Sequence, residues 1–342
     1  MVSQTTGPST KQVPSWYWVI AVILAGSLLW LVIRQIDWQL TLQTLSLCRP
    51  TWLLAAALLL NGGYLLRSLR WRLLLNSRQT VTPGQVYGAT LAGYLGNNFL
   101  PARSGELVRT VLLSHSAALN VSFVLGTIVT ERAIDMIAVV VLGSSLLLWL
   151  PEMNTSLPSA WSAGLRLTAI VAALLAGVLI FSNRTQLWVQ RWLARAPLPP
   201  PLSPRLDTIV NNLGEGLQSC RHLHRALALI ALTVIIWLND AAAARATAQS
   251  LNLPLSLEQA LFFLIALALS SAAPSTPGYL GIYQFVAVTL LPLFGLSSSQ
   301  ALAYVIAFQA TAYVVVIIGG IWGIWYLRRP RRQRLSPPSS EE

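Results

Sequence analysis

From Ala301 to Leu327 the chain runs twenty-seven residues without a charge, then closes on Arg328, Arg329, Arg331, Arg332 and Arg334. About 20 apolar residues suffice for an α-helix to cross the hydrocarbon core of a bilayer, and a flanking arginine cluster marks the cytoplasmic end. The rest of the sequence repeats the theme. Of the 342 residues, 55% are hydrophobic and 10% charged, whereas a soluble domain carries about 25% charged residues. The apolar runs are too long, and too free of period-2 alternation, for a barrel. An all-α polytopic membrane protein follows.

Six runs read as spans: Trp16 to Ile33, Thr51 to Leu66, Val121 to Leu150, Ala163 to Phe181, Ala226 to Gln249 and Ala301 to Leu327. The first is not read as a cleaved signal, because it ends in Leu31-Val32-Ile33-Arg34 with no small-residue cleavage pattern. The net charge of +12 is carried almost wholly by arginine. The arginines sit beside the apolar spans, which points to topology signals and anionic lipid heads rather than nucleic acid. Arg67, Arg70, Arg72 and Arg78 read as one cytoplasmic cluster. The segment 184–225, with six arginines and a Pro-rich linker from Pro197 to Pro204, reads as a second. Within it Leu206, Ile209, Val210, Leu213 and Leu217 recur at helical spacing, the pattern of an amphipathic helix on the inner leaflet. The tail 336–342 reads as disordered. Cys48 and Cys220 fall on opposite sides of the membrane, so no disulfide is expected. No cysteine spacing or carboxylate–histidine cluster suggests a metal, and no phosphate-binding loop suggests ATP hydrolysis. No cofactor is expected.

Two apolar segments are broken. Gly84 to Leu100 and Ser104 to Ser114 are short arms around Asn97-Asn98-Phe99-Leu100-Pro101-Ala102-Arg103-Ser104-Gly105-Glu106. Leu257 to Ala273 and Gly278 to Leu293 are arms around Pro274-Ser275-Thr276-Pro277-Gly278-Tyr279-Leu280-Gly281. At about 1.5 Å per residue neither arm of the first pair comfortably crosses a core of about 30 Å. Each pair reads as a re-entrant helical hairpin, the first entering from the cytoplasm and the second from outside. Both termini are then cytoplasmic and every large arginine cluster is internal. Eight full spans give the same parity as six spans plus two hairpins. Residues 1–150 and 151–335 run span, span, hairpin, span in opposite orientation, an inverted repeat with breaks at corresponding positions, as in many secondary transporters.

Polar groups in hydrocarbon are costly, and broken backbone persists there only inside protein or beside water. The breaks are therefore expected to face each other. Asn97 and Asn98 offer amides before Pro101. Arg103 sits at the break, where a guanidinium can grip a phosphate bidentately. Glu106 and Arg109 share a helical face. The alternative for Arg109 is that it snorkels to the interface and Glu106 neutralises it. Glu131 and Asp135 lie one turn apart with Arg132 beside them, too deep to face lipid. They are read as partners of the hairpin arginines, as proton carriers, or as a structural ion pair. Asp240 with Arg245, near the outer interface, is read as structural. Pro277 and Gly278 open a new arm whose backbone N–H groups suit an anion. Gly281 permits close approach of another backbone, and Tyr279, Tyr283 and Gln284 supply polar tips.

The stretch from Asn97 to Arg109 resembles the N-N-x-L-P-x-R-x-G-E-x-x-R signature of the lysylphosphatidylglycerol synthase transmembrane, or flippase-like, family. Glu131-Arg132 with Asp135 matches its E-R-x-x-D element. Pro277 to Gln284 resembles P-G-G-x-G-x-x-E, with Tyr279 in place of a glycine and Gln284 in place of the usual acid. The resemblance implies movement of a phospholipid or lipid-linked head group across a bacterial cytoplasmic membrane, by a flippase or scramblase rather than an enzyme. In fused members a separate soluble domain makes the lipid. No such domain follows here, so synthase activity is not carried over. The implied partner is a membrane lipid with an anionic head, alongside an envelope-lipid biosynthetic enzyme. Two other readings stand beside it: a membrane-embedded transferase or its subunit, and a scaffold of an envelope complex.

Overall fold

The computed structural model describes residues 15–76, 79–100, 104–149, 223–271 and 277–329, with isolated positions between 166 and 215. All regular structure among them is helical. Three of the described helices are long and apolar enough to cross a membrane: Pro50–Leu75, His224–Ser250 and Ser298–Arg328. Of the expected span 163–181, residues 166–171, 173, 174 and 177 are described and helical, whereas most of the segment 184–225, the tail, and Pro101, Arg103 and Pro274 lie outside the described residues. Positions 206, 209–212, 214 and 215 of the expected amphipathic stretch are helical.

In chain order α1 is Ser15–Ile33, α2 Trp38–Ser46, α3 Pro50–Leu75, α4 Pro83–Phe99, α5 Gly105–Ala117 and α6 Val121–Trp149. After the sparsely described stretch come α7 Leu223–Ser250, α8 Leu257–Ser270, α9 Ile282–Leu290 and α10 Ser298–Arg328. Local chemistry sets the starts. Pro50 opens α3 and Pro83 opens α4, where a missing N–H costs nothing. Ser256 with Gln259 and Ser297 with Gln300 form reciprocal capping boxes at α8 and α10. The short helix α2 is not anticipated by hydropathy, since its nine residues alternate Leu with Gln and Thr. It is capped by Asp37, whose carboxylate accepts from Leu40 N at 3.1 Å, and tied to α10 by Asp37 N donating to Ser299 Oγ at 2.9 Å.

Two expectations need correction. The second span does not stop at Leu66. Helix α3 continues to Leu75, so Arg67, Arg70 and Arg72 are residues of the same helix as the span and do not follow its end. Arg67 and Arg70 stay inside the bundle because carboxylates on neighbouring helices neutralise them there. The last hairpin arm does not start at Gly278 either. Residues Pro277–Tyr279 form a 3-10 turn, and α9 begins only at Ile282, because Gly278, Tyr279 and Gly281 all take positive φ.

Helices α4 and α5, of 17 and 13 residues, close a hairpin. Gln85 Nε2 donates to Ser116 O at 2.7 Å across its open end. Near the tip a Cβ on Gly96 would stand 2.8 Å from Gly105 Cα, and one on Gly105 would overlap Gly93 O. Helix α4 also crosses α10 at Gly88 and Gly323, where a Cβ on Gly88 would lie 3.3 Å from Gly323 Cα. Packing pairs occur in matched sets: α3 on α4 and α7 on α8, α5 on α6 and α9 on α10, α4 against α10 and α6 against α8, with α3 against α7 at the centre. Three apolar clusters result among the described residues. The first is built mainly from α7 to α10, with Val32, Leu60, Val139 and Leu146 added, the second holds Trp71, Val86, Leu113, Phe123 and Leu327, and the third is Tyr64, Leu91 and Val316. Gly105→Ala is expected to destabilise the protein by about 1–3 kcal/mol, the cost of overpacking. The thermal midpoint in detergent should fall, while Gly26→Ala, which meets nothing within 4 Å, leaves it unchanged.

Candidate functional site

Buried charges form a connected network inside the bundle. It begins with Arg70 on α3, whose side chain is 1% exposed. Arg70 Nη1 donates to Asp135 Oδ1 at 2.6 Å and to Thr233 Oγ1 at 3.0 Å, and Nη2 donates to Glu131 Oε1 at 3.2 Å. Glu131, equally buried, turns its other oxygen to Arg109 Nη1 at 3.1 Å. Arg109 Nε donates to Glu106 Oε2 at 2.6 Å, and the guanidinium lies 4.7 Å from the centre of the Trp71 ring. Arg132 stands within 3.4 Å of Glu131 and 3.7 Å of both Glu106 and Asp135. A bidentate pair of Arg67 with Asp240 joins α3 to α7 beside them. Arg67, Arg70, Arg109 and Arg132 thus meet Glu106, Glu131, Asp135 and Asp240, four charges against four.

The helices bring these groups together by register. Glu131 and Asp135 share one face of α6, as do Glu106 and Arg109 on α5. Arg67 and Arg70 follow Tyr64 and Gly63 along α3. Gly63 allows close approach to α7, since a Cβ there would meet Asp240 Oδ1 at 2.6 Å.

Part of this layer opens into a cavity of about 370 Å³, within the range of about 300–1,000 Å³ usual for ligand sites. Its wall includes the polar side chains of Arg67, Asn97, Asn98, Glu106, Arg132, Asp135 and Asp240. It also includes the apolar side chains of Leu60, Val139, Ile236, Leu264, Leu267 and Phe308. Gly278, Tyr279 and Tyr283 line it too, so residues flanking both helix breaks share one chamber. The breaks touch as well: a Cβ on Gly278 would lie 3.4 Å from Asn98 O. Tyr279 and Tyr283 stack with ring centres 4.9 Å apart.

The expected residues separate into three groups. Asn97, Asn98, Glu106, Arg132, Asp135, Gly278, Tyr279 and Tyr283 reach the cavity. Arg109, Glu131, Gly281 and Gln284 support its wall. Arg109 is 3% exposed and clamped by two carboxylates, so it neither snorkels nor lines the cavity. Gly281 abuts Ala25 of α1. Gln284 accepts from Gly281 N at 2.7 Å and donates to Gln309 Oε1 at 2.6 Å, and Gln309 Nε2 donates to Gly278 O at 3.2 Å. Its polar tip is therefore spent on holding the turn, and it takes the Gly281 N–H that an anion would otherwise find. Arg103 and Pro101 fall outside the described residues, whereas Pro277 opens the turn.

Sequence reasoning missed Arg67 and Arg70 by counting them as topology signals, and misassigned Asp240, whose partner is Arg67 and not Arg245. The available signal was their spacing: both continue the buried face of Leu60, Gly63 and Tyr64. Removing one member of a buried pair strands the other, at about 3–5 kcal/mol. Arg70→Ala removes the 2.6 Å partner of Asp135 and one of the three arginines around Glu131, and is expected to destabilise by about that amount. Its thermal midpoint should fall below that of Arg67→Ala, because the Arg70 side chain is 1% exposed and that of Arg67 20%.

Comparison with known proteins agrees with the resemblance read from the motifs. Residues 18–320 match the family described as the lysylphosphatidylglycerol synthase TM region. The chain is also similar to a UPF0104 membrane protein of Methanocaldococcus jannaschii. The two are 24% identical over 226 residues, which is 66% of this chain and 90% of that protein. With its apolar helices, this identifies a multi-pass helical membrane protein. The match spans most of the sequence and includes both helix breaks and the charged layer between them: the chain belongs to the lysylphosphatidylglycerol synthase TM-region family.

Proposed function

We propose that the protein translocates a lipid across the cytoplasmic membrane, with the polar head travelling through the cavity between the two helix breaks. One observation carries this reading. The cavity wall combines charged and amide side chains with aliphatic and aromatic ones, and residues flanking both breaks contribute to it. An amphiphile fits that mixture: its head meets fixed charges and amides while its chains meet Leu, Ile and Phe side chains. A soluble substrate would leave the apolar side chains unused.

The matched packing of α3–α4 with α7–α8, and of α5–α6 with α9–α10, supports an inverted repeat of two halves. In this reading α4–α5 and α8–α9 are re-entrant hairpins that open alternately to the two leaflets, and both termini are cytoplasmic. Charge neutrality of the layer lets it rest at bilayer depth in either state. The protein moves lipid and makes no covalent change to it. Phospholipids and lipid-linked head groups are the substrate class.

Reconstituted protein is expected to accelerate exchange of fluorescent phospholipid between leaflets, read by dithionite quenching. Glu106→Ala and Arg132→Ala should return the rate to that of empty vesicles while the protein remains monodisperse and helical. Equal rates for wild type, both variants and empty vesicles would refute translocation. Formation of a modified lipid from a soluble donor would favour a transferase instead.

A further inference from the structure

Two carboxylates of the layer bridge a closely held arginine and Arg132 at the cavity wall. Glu131 is sealed at 1% exposure, and Asp240 is held in a bidentate pair with Arg67. Asp135 has Oδ1 at 2.6 Å from Arg70 Nη1 and Oδ2 at 3.7 Å from Arg132 Nη1. Glu106, beside the first helix break, has Oε2 at 2.6 Å from Arg109 Nε and Oε1 at 3.7 Å from Arg132 Nη2. It lines the cavity with a side chain 25% exposed. It also sits in the first turn of α5, where free N–H groups and the helix dipole favour a negative charge.

Arg132 is the complementary group. Its side chain is 39% exposed and faces the cavity. Its contacts of 3.4, 3.7 and 3.7 Å are the longest of the ion pairs among the described residues, and its Nε is buried without a hydrogen-bond partner. A guanidinium gains most from planar, two-point contact with an oxyanion. None of the three carboxylates gives Arg132 that contact.

We propose that Glu106 is a tethered competitor anion: its carboxylate occupies the seat that a phosphate group takes against Arg132 at the cavity wall, and it covers Arg109 behind that seat. The proposal deepens the translocation reading and rests on it for the source of the phosphate. A phosphate displaces the carboxylate without changing the charge of the seat by more than about one unit. The carboxylate then reclaims the seat when the head leaves. Arg109 keeps its second partner, Glu131, throughout. Arg67 is excluded as the seat, since its bidentate pair with Asp240 already fills the planar face a phosphate needs. The tether holds affinity down, so that the head is bound and also let go.

The test measures retention of dioleoyl phosphatidylglycerol by the full-length protein in detergent, by native mass spectrometry at graded lipid concentration. Dioleoylglycerol serves as the phosphate-free comparison and inorganic phosphate as a competitor. A hydrogen-bonded charge is worth enough that Glu106→Gln is expected to lower the half-saturating concentration of phosphatidylglycerol roughly tenfold. Retention of dioleoylglycerol should not change. Arg132→Gln should abolish the preference for the phosphate-bearing lipid, and Glu106→Asp, with its carboxylate one methylene short, should fall between wild type and Glu106→Gln. Competition by millimolar inorganic phosphate would identify free phosphate as a ligand of the same seat and would also support it. Equal half-saturation in wild type, Glu106→Gln, Glu106→Asp and Arg132→Gln would overturn the proposal, as would stronger retention of a trimethylammonium lipid by Glu106→Gln. The two readings fail separately. Fast leaflet exchange with unaltered retention would sink the tethered anion alone, and altered retention without exchange would sink translocation alone.

Discussion

An ion buried in a bilayer-embedded protein must find its counter-ion within the protein, because hydrocarbon supplies neither water nor salt. That requirement organises this molecule. Arg70 cannot be buried on α3 unless α6 presents Glu131 and Asp135 at its height, and Glu131 in turn draws Arg109 of α5 inward. Arg67 imposes the same condition on α7 through Asp240. Four helices, α3, α5, α6 and α7, are thereby fixed in depth and rotation by one set of described charges, four against four. Apolar packing alone could not fix them, since a leucine side chain is as comfortable against lipid as against another helix. Glycine contacts do the complementary work, bringing α4 against α5 and α10 closely enough for the charges to meet.

Helix positions were legible in the sequence because hydropathy, Pro at helix starts and arginine clusters at helix ends are local signals. Starts at Pro50, Pro83 and Val121 are within a residue of expectation. The shared chamber followed from a different kind of signal, the cost of a proline and several charges in an apolar run. Pairing was legible only in part. Glu131 was read as a partner of the hairpin arginines, and Arg109 is that partner. Arg67 and Arg70 look like membrane-edge arginines from their own neighbours, and their partners lie 173, 61 and 65 residues away in sequence. Helix α2 was missed because nine residues capped by Asp37 carry too little apolar length to register.

The second break shows how a departure from the resembling pattern is absorbed. Tyr279 has φ of 60°, a conformation that costs a residue with a Cβ about 1–2 kcal/mol and a glycine nothing. The pattern's glycine at that place is what such a turn asks for. This chain offsets the strain with a ring stacked on Tyr283 and with Gly278 O held by Tyr313 Oη at 2.6 Å and by Gln309. Gln284 fits the same scheme. Its amide oxygen takes the Gly281 N–H while its nitrogen donates to Gln309, which leaves Gln309 Nε2 free to hold Gly278 O. A carboxylate at 284 would face Gln309 Oε1 oxygen to oxygen, and turning the Gln309 amide to relieve that would take its N–H from Gly278. The amide and the tyrosine therefore work as a unit: a turn that tolerates a side chain at 279 needs its Gly278 carbonyl pinned from α10, and a neutral residue at 284 is what leaves the pin in place.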